Sequence, residues 1–384
     1  MELTLEAYRN IVKNVGSRAD IAALCGVSPG FRQVAERALY NTLFMRNDEE
    51  TGVLCRTLAN SPRLAVKVDA LTILLSEPDE YSGSEDEDED EDQQIPQADM
   101  DWAAVARALE NTIYLRYLNI HINNGTSTAV SWILQKCTFQ LRRFHCDLDW
   151  DHRLVHFLDG QTELEDLYIQ DYKDPEDFTT STTAVPPAQP LQLDDRSIPK
   201  LSTLECTFSE AAMALVPGRP ITHLKTCFSR TEMRAKQGEM RDLLSKVGLS
   251  AQPLRALDIA DSSYTEQFSM QLLSAIANTR SLVSELRHLG TFVLPIDGRE
   301  RLQFYGLLMR FPKIQSVEFE VSEWQPPPSS PLALRALGGE LRLYNPSVLR
   351  MVFVHDFDRS VVTAVDGICR VDTEISTELL WREK

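Results

Sequence analysis

Two short motifs in this chain carry residue types that could do chemistry. The first, residues 26–30, reads Gly-Val-Ser-Pro-Gly and matches the G-x-S-x-G pattern around the nucleophilic serine of many hydrolases. That nucleophile elbow requires a strand before the serine and a helix after it. Residues 20–25 favour a helix instead, so we interpret the motif as a turn that separates two helices.

The second motif is a pair of histidines, His152 and His156, with the i, i+4 spacing that metal ligands can have on a helix. No glutamate follows His152 directly, and no third ligand is evident, so capping or packing roles are the better interpretation. The chain also has no P-loop and no G-x-G-x-x-G motif. We therefore expect a protein that is not an enzyme and binds neither a metal nor another cofactor. An α/β enzyme stays an alternative hypothesis, which requires a pocket with converging polar groups.

The net charge and the cysteine pattern limit the binding partners and the cellular compartment that we expect for the chain. The net charge is −18, and eight of the acids form the unbroken block Glu85–Asp92. Because there is no basic stripe, we expect neither nucleic acid nor a membrane surface as a partner. The seven cysteines are single and include no C-x-x-C pair, which favours a reducing compartment. With no secretory signal and no long apolar run, the predicted localisation is cytoplasmic and/or nuclear.

A six-residue phrase with apolar residues at its first, fourth and sixth positions recurs along the chain. Successive copies begin 20 to 47 residues apart, and most follow a stretch with helical spacing of apolar residues. This alternation predicts an α/β fold, an irregular leucine-rich-repeat solenoid with parallel strands and outer helices. The copies begin at Val68, Leu115, Leu141, Leu164, Leu201, Ile221 (with the polar Thr226 at its sixth position), Leu254 and Ile314, with weaker ones at Leu286 and Leu349.

The residues between the apolar positions of each phrase should point away from the core, because side chains alternate along a strand. They combine both charges with aromatic rings, which suits protein recognition, although each could be an ordinary solvated strand residue. These ligand-facing candidates are Tyr117, Asn119, His121, Arg143, His145, Tyr168, Glu205, His223 and Lys225, together with Asp166, Asp258, Glu318 and Glu320.

Three segments interrupt or end the repeats. Residues 76–99 are acidic and poor in apolar residues, so we expect a disordered insertion whose role is solvation, phospho-regulation or binding of a basic partner. Residues 171–200, rich in Pro, Thr and Asp, should form a long loop. Residues 348–381 are rich in β-forming residues and should cap the repeats.

The first 44 residues predict three short helices, the third of which carries Phe31, Leu43 and Phe44 on its apolar side. Three short helices cannot bury much of their own apolar surface, so the remainder should form a binding face.

This stretch resembles an F-box. The shared pattern is L-x-x-E, an apolar helix, D-I-x-x-L and V-S-x-x-F. The rest of the chain is similar in architecture to F-box proteins with degenerate leucine-rich repeats. Thr4 stands where the family usually has proline, and Phe31 where it often has tryptophan. The pattern is carried by Leu3, Glu6, Ile11, Asp20, Ile21, Leu24, Val27, Ser28 and Phe31.

The resemblance implies a small three-helix F-box over residues 1–46 and a solenoid over residues 47–384. It also implies a Skp-type adaptor and a cullin ligase as partners, and an unknown protein substrate on the repeat face. The chain would then be the substrate-recognition subunit of a Skp–cullin–F-box ubiquitin ligase. The alternative is an interaction scaffold unrelated to ubiquitin. The residues implied in adaptor binding are Leu3, Thr4, Glu6, Ile11, Leu24, Val27 and Phe31.

Overall fold

The computed structural model forms two compact units, each mixed α/β with mostly parallel strands. Unit 1 comprises Met1–Leu164 and Ile169–Tyr172, and unit 2 comprises Glu165–Tyr168 and Lys173–Lys384. The predicted acidic insertion lies outside the described residues, as does most of the predicted loop over residues 171–200. The structure describes residues 3–75, 100–122, 130–170, 191, 193–194, 196–261, 264–356, 358–377 and 379–383.

Unit 1 begins with three helices and continues with alternating helices and strands. Its strands β1 to β4 pair in chain order, and every pair is parallel. The elements are α1 (Leu5–Lys13), α2 (Arg18–Leu24), α3 (Pro29–Tyr40), β1 (Thr42–Met45), α4 (Asp48–Asn60), α5 (Pro62–Ala65), β2 (Ala70–Leu74), α6 (Trp102–Asn111), β3 (Tyr117–His121), a 3₁₀ helix (Ser131–Leu134), β4 (Arg143–Cys146) and α7 (His152–Asp159).

Unit 2 continues the same alternation and ends differently. Strands β6 to β11 are parallel where their pairing is described, whereas β12 and β13 add an antiparallel ribbon to β11. After β5 (Asp166–Ile169), which spans the division between the units, come β6 (Thr203–Cys206), α8 (Ser209–Leu215), β7 (His223–Cys227), α9 (Met233–Val247), β8 (Ala256–Ala260), α10 (Glu266–Asn278), α11 (Arg280–Val283), β9 (His288–Val293), α12 (Gly298–Leu308), β10 (Ser316–Glu320), α13 (Pro331–Tyr344), β11 (Arg350–His355), β12 (Asp358–Val365), β13 (Ile368–Asp372) and a 3₁₀ helix (Leu380–Arg382).

The repeated phrase explains where the strands form. Each of the ten copies contains one strand, β2 to β11, and in nine copies the strand begins two residues after the first apolar residue. That first residue is at most 1% exposed in those nine copies, whereas Leu349 of the tenth is 46% exposed. A buried apolar residue therefore anchors the chain before nine of these ten strands, and the mixed α/β fold with mostly parallel strands is confirmed.

The core of unit 2 lies between the inward side of its strands and its helices. Phe304 of α12 packs edge-on against Phe292 and Phe319, with ring centroids 6.2 and 5.8 Å away. A buried ion pair lies between α9 and the end of β8, where Lys236 (1% exposed) pairs with Asp261. The ammonium of Lys236 also lies 5.2 Å from the ring centroid of Phe268 in α10, so these side chains join two helices and a strand.

Two details of the sequence prediction are wrong. Helix α3 ends at Tyr40, so Leu43 and Phe44 belong to β1, whose alternation buries Leu43 and exposes Phe44. The β structure predicted up to Trp381 ends at Asp372. The predicted domain boundary after residue 46 stays a prediction. Among the helices of the described ranges, none has the length and apolar composition needed to cross a lipid bilayer.

Candidate functional site

The three-helix module, α1 to α3, is fixed by hydroxyl caps and a small core. The hydroxyl of Thr4 accepts a hydrogen bond from the Ala7 amide (3.3 Å), so the residue that departs from the family pattern caps α1. Ser28 caps α3 by accepting from the Phe31 amide at 3.2 Å, and it follows a helix, not a strand. Its hydroxyl therefore has a structural role in the turn.

Close contact between α1 and α3 depends on Gly30. A Cβ at this position would lie 2.4 Å from Cε2 of Tyr8, closer than side chains pack. The Tyr8 ring in turn meets Phe31 edge-on at 4.5 Å. The buried centre of the module consists of four residues, Tyr8, Val12, Val34 and Ala35, with Ile21, Leu24, Cys25 and Phe31 packed around them.

The residues implied in adaptor binding therefore divide into two groups. Leu24 and Phe31 are half-buried and pack against the module's core. Leu3, Ile11 and Val27 remain 51, 41 and 64% exposed, so these three large apolar side chains face solvent. Thr4 and Glu6 are also exposed. The module thus offers apolar side chains at three of its motif positions.

In unit 1, the ligand-facing candidates lie side by side on β3 and β4. The parallel register places Tyr117 opposite Arg143 and Asn119 opposite His145. Tyr117 and Arg143 are exposed, whereas Asn119, His121 and His145 are half-buried. Burial lowers the pKa of His121, which favours its neutral imidazole.

In unit 2, the candidates form a surface that we call the acidic face, the outward positions of β5 to β10. One row runs across the strands from Glu205 to Lys225 to Asp258, which are directly opposite in register. A second row runs from His223 through Ala256 and His288 to Ser316. The acids of this face are Asp166, Glu205, Asp258, Glu318 and Glu320, and the half-buried Tyr168 lies beside them.

A register shift in β9 creates a polar network on this face. The shift lies opposite Val317–Phe319 of β10, and it turns Thr291 outward. The Thr291 hydroxyl lies 3.3 Å from Oδ1 of Asp258 and 3.2 Å from Oε1 of Glu318. Position 290 has to be glycine in this arrangement, because a Cβ there would lie 2.9 Å from the Asp258 carboxyl carbon.

The Glu318 carboxyl holds a proton more tightly than an ordinary glutamate. Burial, and secondly the negative charge of Asp258, raise the pKa of Glu318 to about 7, although Arg359 pairs with it at 3.1 Å and opposes the shift. A hydroxyl can donate to only one acceptor. When Thr291 donates to Asp258, a protonated Glu318 can donate to Thr291, which completes the network.

This shift predicts a pH dependence of stability. Because the pKa of Glu318 is raised to about 7 in the folded state, proton binding at Glu318 stabilises the fold. This stabilisation is fully present below pH ~4.5 and is lost as pH rises towards 7. The wild type should lose on the order of 1–3 kcal/mol of its free energy of unfolding between pH 5 and 8. Glu318→Gln should not show this loss. Urea unfolding at several pH values measures this, with Glu300→Gln on the exposed side of α12 as the control. An unchanged pH slope in Glu318→Gln would contradict the network.

The acidic face is covered by the chain itself. Residues 379–383, which we call the covering segment, include a 3₁₀ helix that lies against β7, β8 and β9. Leu380 packs with Val352, Val354 and Val361 of β11 and β12. Leu380 and Trp381 are each only 3% exposed.

Arg382 anchors the covering segment to two acids. Its Nη1 donates to both carboxylate oxygens of Asp166 (2.8 and 2.7 Å), and its Nη2 donates to Oε2 of Glu205 (2.8 Å). The Trp381 ring lies 4.6 Å from the Arg382 guanidinium and 6.0 Å from the Lys225 ammonium. Lys225 also pairs with Glu205 at 3.1 Å, so one carboxylate joins two cations.

Sequence reasoning found the strand residues of this site but not their burial. His223, Asp258 and Glu318, predicted to face a ligand, are 6, 5 and 3% exposed. Thr291 was missed because the register shift in β9 turns it outward, and His288 because it lies in one of the weaker copies of the phrase. Trp381 and Arg382 were missed, because a three-residue 3₁₀ helix has no periodic signal. The only available signal was a tryptophan beside an arginine after the last strand.

The described residues contain no group of three or more His, Cys, Asp or Glu side chains that could hold a metal ion. His152 and His156 both lie on α7, where they are exposed. The acidic face combines carboxylates, the cations Lys225 and Arg382 and the ring of Trp381. The chain matches no protein-family model and no curated protein sequence.

Proposed function

We propose that the chain is a substrate-recognition subunit of a Skp–cullin–F-box ubiquitin ligase. The observation that supports this best is the exposure of Leu3, Ile11 and Val27, three motif positions of an F-box, on a module with a very small core. An adaptor protein that buried these side chains would remove about 25 cal/mol of unfavourable hydration per Å² of apolar surface.

The proposed mechanism is proximity, not chemistry by the chain itself. The helical module would dock a Skp-type adaptor on a cullin ligase, and the following repeats, as an irregular leucine-rich-repeat solenoid, would hold a target protein. Tethering both raises the effective concentration of target lysines near the ubiquitin-carrying enzyme. This function places the protein in the cytoplasm and/or the nucleus.

Co-purification tests the proposal. The full chain is expressed with and without a Skp-type adaptor, and the mixture is analysed by size-exclusion chromatography with light scattering. We expect a one-to-one complex that persists through the column. Separate elution of the two proteins at micromolar concentration would reject the ligase function.

The second candidate function is an interaction scaffold unrelated to ubiquitin. It is favoured by Leu24 and Phe31, two motif positions whose side chains pack inside the module, as the residues of a simple helical cap would. This candidate predicts that the adaptor is not captured while target binding by the repeats persists.

A further inference from the structure

We propose that the acidic face binds a segment of a partner protein that presents an arginine beside an aromatic side chain. We further infer that the covering segment occupies this face as an internal competitor. The inference rests on the proposed function, because it names the substrate class of that same repeat surface.

Charge complementarity gives the first argument. Two cations of the described strands, Lys225 and Arg359, form ion pairs with acids of this face. They are outnumbered by its five acids, Asp166, Glu205, Asp258, Glu318 and Glu320. A ligand without a cation would bury the surplus carboxylates further and leave them poorly compensated, which is costly. An occupant of the face therefore has to bring a positive charge.

The geometry selects arginine for that charge. In the covering segment, one guanidinium reaches Asp166 on β5 through Nη1 and Glu205 on β6 through Nη2, at 2.7–2.8 Å. A guanidinium presents several donors in a fixed plane, whereas a lysine ammonium is a single point charge that cannot match two separated carboxylates as well.

The aromatic requirement follows from Trp381. Its ring is 3% exposed and lies 4.6 Å from the Arg382 guanidinium and 6.0 Å from the Lys225 ammonium. A ring in this position is attracted to both cations and shields their ion pairs from water. A partner segment would need an aromatic side chain next to its arginine to reproduce these contacts.

Unpartnered polar atoms show that the covering segment fits the face incompletely. Both ring nitrogens of His288 (5% exposed) and Oγ of Ser316 (3% exposed) have no hydrogen-bond partner among the described residues. The two residues are opposite each other on β9 and β10, and the 3₁₀ helix of the covering segment lies against β9. Because each such buried group costs about 1–3 kcal/mol, a ligand with further polar groups would bind better.

The covering segment is held by two buried apolar side chains, Leu380 and Trp381, and by few polar anchors. Its only regular structure is the three-residue 3₁₀ helix, and Leu379 at its start is 60% exposed. Its polar anchors are Arg382 and the ion pair of Glu383 with Arg350. Loss of the arginine contacts should therefore open the face without unfolding the strands beneath it.

A binding experiment with a synthetic peptide tests the inference. The probe is a fluorescein-labelled peptide with the sequence of residues 373–383, and its affinity for the full-length chain is measured by fluorescence anisotropy. We expect the Trp381→Ala/Arg382→Ala double variant to bind at least ten-fold more tightly than the wild type, whose own segment competes. A peptide with alanine in place of arginine should bind this double variant at least ten-fold more weakly than the original peptide does. Adding Glu205→Gln to the double variant should weaken its binding of the original peptide by at least ten-fold as well.

The matched control is Arg241→Ala, at an exposed position of helix α9, which should bind the probe as the wild type does. Equal affinity of the double variant and the wild type, or binding that does not depend on the peptide's arginine, would overturn the inference.

A second measurement covers the case in which the double variant does not fold. With ¹⁵N-labelled wild type and unlabelled peptide, saturating peptide should accelerate amide hydrogen exchange of residues 380–383. Unchanged exchange would overturn the inference.

Adaptor capture by the wild type is measured in parallel. A failed peptide test with intact capture rejects only this inference, and failed capture with intact peptide binding rejects only the ligase function.

Discussion

Aspartate at position 11 or 27 is expected to weaken capture of a Skp-type adaptor at least about 100-fold, because a charge would be buried in an apolar interface. Ile11 and Val27 are 41 and 64% exposed in the unbound chain, so Ile11→Asp and Val27→Asp should leave its fold intact. The affinity is measured by isothermal titration calorimetry with purified adaptor, and circular dichroism confirms the fold.

The matched control is Val53→Asp on α4. Val53 is 51% exposed but lies outside the three-helix module, so its substitution should not change the affinity. Phe31→Asp is unsuitable as a test, because the Phe31 ring packs on Tyr8 and its loss would disrupt the module itself. Wild-type affinity in both Ile11→Asp and Val27→Asp would exclude this surface as the docking site.

Lys236→Ala is expected to lower the free energy of unfolding by about 3–5 kcal/mol, because it leaves a buried carboxylate without its cation. Asp261 is only 6% exposed, and Lys236 also lies over the Phe268 ring. Urea unfolding followed by tryptophan fluorescence measures the change.

Two further variants test the electrostatic explanation for Lys236. Adding Asp261→Asn to Lys236→Ala should restore part of the lost stability, because the charge that lost its partner is removed. Lys313→Ala breaks the exposed pair with Glu285 and should leave the urea midpoint unchanged. If Lys236→Ala and Lys313→Ala behave alike, the buried pair does not hold the helices together.

The strands of the fold were predictable because each repeated phrase has its own local signal. Apolar residues at fixed spacing specify both the buried anchor, such as Leu254, and the alternation within the following strand. The end of α3 was missed by a few residues, because the apolar pair Leu43-Phe44 fits helical spacing as well as strand alternation.

The state of the candidate site was not predictable from these patterns. Alternation predicts that Asp258 and Glu318 leave the core, but it cannot tell whether something lies above them. The covering segment lies far from these strands in the sequence: Arg382 is 216 positions after Asp166 and 177 positions after Glu205. Its contacts with these two acids therefore depend on tertiary folding alone. Likewise, the sequence pattern identified Phe31 as a motif residue, but it could not predict that the Phe31 ring packs against Tyr8 at the module's core.

The raised pKa of Glu318 also affects how the whole molecule migrates in an electric field. Burial, and secondly the negative charge of Asp258, raise this pKa to about 7, so the Glu318 carboxyl of the native chain is largely protonated at pH 6 and largely ionised at pH 8. Replacing Glu318 with glutamine therefore removes a negative charge at pH 8 but almost none at pH 6. In native gel electrophoresis, Glu318→Gln should move more slowly towards the anode than the wild type at pH 8, and at nearly the same rate at pH 6.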